Sequence, residues 1–334
     1  MEPTDDQPPP TKGIPIETGA LNALRFYQMN YDTPVFTGLG AGKKKIVLGA
    51  KPFECRFCAG KPPRRTFRKQ AHAVSELLGN KIMESLYECD DCNERFSAFE
   101  DDLGKMTKPF RSVGGVKGKR GVPTLVGTAV GTSRQARMEV RDGTLAASHE
   151  AGDGSFVVDD VAKTITFSYV QDSYRPLGAY KALCKSAFTL FPQSELGHFS
   201  ELKDWLLEKD VETRRVYSNG SHICFRTFVS GFRPFPQPIV ALLRRKALID
   251  APYMSMFIAF GNISYQIFVP CPAMDGHLSG KTVSFAPYPH LFQLQPWRVP
   301  GPIQSHQIDL SASERTTSRS GTMRWVYERM VRVP

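Results

Sequence analysis

Residues 67–96 read FRKQAHAVSELLGNKIMESLYECDDCNERF: a basic run ends at a histidine, an asparagine follows, and a Cys-x-x-Cys pair opens a helical pattern. A second pair, CRFC at 55–58, lies just upstream. Two close pairs separated by 30 residues suit one tetrahedral zinc ion held by the thiolates of Cys55, Cys58, Cys89 and Cys92. Each pair makes a turn that brings two sulfurs to one ion, and the ion joins chain segments too short to bury a core of their own. By itself this spacing establishes a structural clip and says nothing about chemistry.

Charge is concentrated around the same stretch. Between Lys43 and Arg120 there are 18 Lys and Arg against 10 Asp and Glu, while the rest of the chain is nearly balanced at 25 against 23. Most of the formal charge of +10 therefore surrounds the cysteine pairs. A concentrated positive field points to a polyanion, most simply nucleic-acid phosphate. The plainer alternative is solvated surface lysine.

The residues between the pairs resemble the HNH endonuclease family, in particular its zinc-stapled branch with the ββα-metal fold. The likeness rests on CRFC, the Ala-His at 71–72, the LGN at 78–80 and ECDDCNERF at 88–96. It continues through FEDDLGKMTKPFR and KGKRG. The resemblance implies that His72 is a general base taking a proton from the water that attacks phosphorus. It implies that Asn80 fixes the imidazole and that Asn93 binds a catalytic divalent ion, Mg²⁺ or Mn²⁺. Many relatives carry a metal ligand just before the base; this chain has Ala71. The remaining ligands would then come from elsewhere, with Glu100 and Asp91 as candidates beside Glu84 and Asp90.

The helical pattern from about Asp91 places Phe96, Phe99 and Leu103 on one face, and Asn93, Ser97 and Glu100 on a stripe that can look at His72. Lys43, Lys44, Lys45, Arg64, Arg65, Arg68, Lys69, Lys117, Lys119 and Arg120 would grip phosphates, which positions a duplex without reading its sequence. GLGAGKKK at 38–45 lacks the spacing of a phosphate loop and reads as a basic turn into the strand KIVLG.

The expected architecture is α+β: a flexible tail over 1–19, a zinc-stapled HNH domain over 20–120, and an α+β domain over 121–334. In the last, KTITFSYV (163–170), HICFRTFV (222–229) and MSMFIAFGNISYQIFVP (254–270) read as strands, the third a hairpin turning at Gly261-Asn262. AYKALCKSAFTLF (179–191) reads as a helix ended by Pro192, with Ser194 capping another. RSVGGVKGKRGVPTLVG (111–127) reads as a linker or phosphate-grazing loop.

The function expected is a metal-dependent DNA endonuclease in the cytoplasm, with no membrane span or secretory leader. By family analogy it belongs to bacterial restriction or antiphage defence. The C-terminal domain would control activity, dimerise the chain or bind a regulatory partner or ligand. RNA stays open as substrate, since phosphates are common to both. The competing reading is a zinc-bearing nucleic-acid-binding module without catalysis, which Ala71 would allow.

Overall fold

The computed structural model describes residues 16–128, 135–141, 144–149, 154–208, 222–231, 234–283, 286–289, 292, 301, 303–327 and 329–330. The tail proposed for 1–19 lies almost wholly outside them. Helix α1 (Ile16–Asn30) runs directly into strand β1 (Tyr31–Gly38), and the glycine-lysine turn then leads into β2 (Ile46–Leu48). β3 (Ala71–His72) and β4 (Met83–Ser85) precede the long helix α2 (Asp90–Val113). Short strands β5 (Leu125–Val126), β6 (Arg137–Arg141), β7 (Thr144–Ser148), β8 (Phe156–Asp159) and β9 (Thr164–Gln171) lead to α3 (Pro176–Leu190) and α4 (Ser200–Leu207). The remainder comprises β10 (Ile223–Val229), β11 (Phe235–Arg245), β12 (Met254–Gly261), β13 (Ile263–Val269), α5 (Pro272–Asp275), β14 (Ile303–Asp309) and β15 (Arg319–Val326). No helix among the described residues is long and apolar enough to cross a membrane.

The mixed α+β class expected from sequence holds. The largest sheet has six strands in the order β1-β11-β12-β13-β10-β14, antiparallel throughout. Its centre is the predicted hairpin β12–β13, whose residues are buried on both faces. That explains why the stretch reads as a continuous apolar run and not as an alternation. The turn falls at Gly261, whose φ of +56° is one that L side chains rarely adopt. Its Cα also lies against Gly114, where an added Cβ would meet Gly261 Cα at 3.0 Å.

This contact corrects the linker reading of 111–127. The first three residues continue α2, and Gly114, Gly115 and Val116 are buried against the hairpin tip. From the run that follows, Lys117, Lys119, Arg120 and Gly121 are exposed.

The core is continuous across residue 120. One cluster holds Cys55, Phe57, Cys89, Phe96, Phe99 and Leu103 together with Leu183, Phe188, Trp205, Met256 and Ile267. Its hub is α3, every residue of which is buried. Three charged side chains from the cysteine-bearing region hold this helix. At its start, Asp102 on α2 accepts the Arg175 N–H at 3.0 Å, and Gly178 makes room for that carboxylate. At its end, the Arg56 guanidinium donates to the carbonyls of Phe188, Thr189 and Phe191 at 3.2, 2.8 and 2.9 Å. Acid at the N-terminus and cation at the C-terminus both match the helix dipole. The third is Glu88, which meets Lys185 in the middle.

Two local expectations change. The basic strand ending at His72 contributes only Ala71 and His72 to a ladder, because residues 66–69 are drawn to the first turn of α2. Asp90 accepts from Thr66 Oγ1 at 2.5 Å and from the Arg68 and Lys69 amides at 2.9 and 2.8 Å. Ser194 caps no α-helix: residues 193–199 wind as a 3-10 helix, and α4 begins only at Ser200. Glu195 within that turn is held by Arg244 and Tyr253 at 2.8 and 2.7 Å, which ties it to the large sheet.

Candidate functional site

The sulfurs of Cys55, Cys58, Cys89 and Cys92 lie within 4.8 Å of one another, with Cys58 and Cys89 3.7 Å apart. Zinc–sulfur bonds of about 2.3 Å in a tetrahedron set sulfurs about 3.8 Å apart, so the cluster has room for one such ion. The amides of Phe57 and Cys58 point to Cys55 Sγ, as does that of Cys92 to Cys89 Sγ, which lowers the cost of holding thiolates. Hydrogen bonding with Cys92 pushes the Cys55 thiol down to about 5, and the same contact, with burial, pushes Cys92 up. The four residues fit a zinc ion. Among the described residues no second group of three or more His, Cys, Asp or Glu ligands comes together.

His72 stands in a short antiparallel pair, directly across from Glu84 on β4. Its side chain is 21% exposed. Nδ1 is buried and makes no hydrogen bond, while Nε2 lies 3.7 Å from Glu76 Oε2. Burial holds its proton affinity below the ordinary histidine value, against the pull of Glu76, Glu84 and Glu100, with the cation of Lys185 adding to the depression. The imidazole is therefore neutral at pH 7 and can accept a proton.

Asn80 does not touch that imidazole. Its Nδ2 donates to Val74 O and Met83 O at 2.7 and 2.8 Å, and its Oδ1 accepts from the amides of Ile82 and Met83 at 3.2 and 2.9 Å. Two donors and two lone pairs are thereby used, and none is left for His72. Asn80 fixes the backbone that links β3 to β4.

Asn93 occupies the first turn of α2, half-buried; its main-chain N–H donates to Cys89 O at 3.0 Å, and its side-chain carboxamide makes no hydrogen bond among the described residues. Glu100 does face the histidine side, as the stripe on α2 predicts, but it accepts from Ser75 Oγ at 2.7 Å and lies 3.5 Å from Lys185 Nζ. Asp91 is bonded to Arg65. Glu84 is engaged by Lys45 and Gln70, and Asp90 by the 66–69 loop. Each candidate carboxylate is already committed to a protein donor. The residues present therefore make no resident site for a hard divalent ion, which needs free oxygens converging on one point.

The basic residues divide. Lys45, Arg65 and Lys69 are paired with Glu84, Asp91 and Glu94. Lys43, Lys44, Arg64, Arg68, Lys117, Lys119 and Arg120 are exposed and have no ion-pair partner among the described residues. Arg68 is fixed through its own amide a few residues before His72.

Sequence reasoning missed Glu76, Glu88 and Lys185. Glu76 carried a weak signal, four residues after the histidine. Lys185 carried none, since its partners lie about a hundred residues earlier in the chain. No protein-family model, curated protein or solved structure matches this chain.

Proposed function

We propose that the chain is an HNH-type endonuclease that hydrolyses DNA phosphodiesters with His72 as general base. The observation that carries this reading is a largely buried histidine on the β3–β4 ladder, in the same segment as a helix that starts in a four-cysteine cluster and as exposed basic side chains without an ion-pair partner among the described residues. His72 accepts the proton of a water molecule through its exposed edge, where Nε2 lies. The water oxygen bonds to phosphorus, the bond from phosphorus to the 3′ oxygen breaks, and the 3′ oxygen leaves as a hydroxyl after taking up a proton. Arg64, Arg68, Lys119 and Arg120 supply positive charge for the flanking phosphates.

One observation favours a second reading, a nucleic-acid-binding module without chemistry. Ala71 offers no ligand, and the carboxylates around His72 are committed to Lys45, Lys81, Lys185 and Ser75.

The two readings part in one assay: cleavage of supercoiled plasmid by wild type and His72→Ala at equal zinc content, with Mg²⁺, Mn²⁺ or chelator, from pH 5 to 9. The nuclease reading expects nicking lost in the variant. It also expects an acid limb below pH 6.5, because the base must be neutral and its proton affinity is depressed. Binding of DNA with no cleavage by either protein under every condition would favour the module.

A further inference from the structure

We propose that Lys185, on α3 and beyond the boundary expected at residue 120, is a positioning residue of the His72 site. The proposal rests on the nuclease reading for its catalytic meaning, but the geometry that carries it is independent of that reading.

The Lys185 ammonium is buried, and it meets three oxygens, from β3, α2 and the segment just before α2. It donates to the main-chain carbonyl of His72 at 3.2 Å on β3, and lies 3.5 Å from Glu100 Oε1 on α2 and 2.9 Å from Glu88 Oε2 just before the second cysteine pair. The approach to Glu88 is an ion-pair contact without a directed hydrogen bond, since neither Glu88 oxygen has an aligned donor. A lysine buried this completely is retained only where its charge is matched, and here Glu88 and Glu100 hold it protonated against the cost of burial.

The arrangement does two things for His72. It anchors the residue through its own backbone carbonyl. It also places a fixed cation behind the imidazole. The charged groups facing the ring are Glu76 on the turn after β3, Glu84 on β4, Glu100 on α2 and Lys185 on α3. Three are acids that favour imidazolium, and Lys185 alone among them opposes it. Removing it should therefore make His72 easier to protonate.

Removing Lys185 alone would leave Glu88 buried beside an apolar side chain, and that variant could fail for folding reasons only. The test is accordingly the pair Glu88→Gln with Lys185→Met, compared with Glu88→Gln alone, both checked for one zinc per chain and a wild-type unfolding midpoint. The first readout is the NMR titration of the His72 ring, assigned by the signal missing from His72→Ala. The second is the pH profile and the kcat against KM of plasmid cleavage. The expected result is a His72 titration moved to higher pH in the double variant and not in Glu88→Gln. With it comes a fall in kcat of about 10- to 100-fold at unchanged KM. A folded, zinc-loaded double variant whose His72 titrates as in wild type overturns the proposal. If the wild type itself cuts nothing, the nuclease reading fails, and the titration alone decides whether Lys185 governs His72.

Discussion

Replacing Asn80 by alanine separates a residue that serves the backbone from one that serves the imidazole. Its side chain is fully buried and makes four hydrogen bonds between 2.7 and 3.2 Å, all to main-chain groups of Val74, Ile82 and Met83. At a net value of about 1 kcal/mol each, their loss amounts to about 4 kcal/mol if nothing relaxes. Met83 O retains the Ala73 amide at 3.3 Å, and a water entering the space left by the amide would restore part of the rest. The expected destabilisation is therefore about 2–4 kcal/mol, a large share of the stability of an ordinary domain. The assay is urea unfolding of zinc-loaded wild type and Asn80→Ala, followed by fluorescence and by circular dichroism, with the shift in midpoint converted at a common slope. A loss below about 1 kcal/mol, or full stability with activity abolished, would refute the reasoning. Either would mean that the amide acts on the ring or the substrate and not on the chain.

Two further outcomes test the clip and the charge. The four-cysteine cluster is expected to take up one zinc per chain; chelation, or Cys92→Ser, should abolish that uptake and make residues 55–113 sensitive to proteases, since three of the four cysteines sit inside the main core; metal analysis beside limited proteolysis reads both. Arg68→Ala and Arg120→Ala should each weaken DNA binding to a similar degree on unrelated sequences, and lower the slope of log K against log salt by about one; a change confined to one sequence would contradict a phosphate contact.

What could be read in the chain beforehand was local. The cysteine pairs, the hairpin at Gly261-Asn262 and the helix over 179–191 all follow from spacing and turn chemistry within a dozen or so residues. The long-range arrangement left no such trace. β1 pairs with β11 across some two hundred residues, in a register running from Tyr31 opposite Arg245 to Gly38 opposite Ile239. Lys181 and Lys185 stand one helical turn apart, the usual signature of a solvent-facing stripe, yet both are buried. Nothing adjacent announces the acid that meets Lys185. The site followed the same rule: the four-cysteine cluster was legible from its spacing, whereas the bonds of Asn80 depended on which main-chain groups folding brought within reach.

The burial of α3 against residues 55–113 also orders events in time. His72 leaves the ribosome well before the helix that holds its carbonyl: 113 residues separate it from Lys185. At about 5–20 residues per second, synthesis of that interval takes roughly 6–23 s. Through that delay Glu88 lacks the Lys185 cation, Arg56 has no helix end to cap, and the His72 carbonyl lacks its Lys185 donor. A nascent chain therefore passes through a period in which the cysteine-bearing segment exists without its contacts to α3, and completion waits on sequence that has yet to be translated.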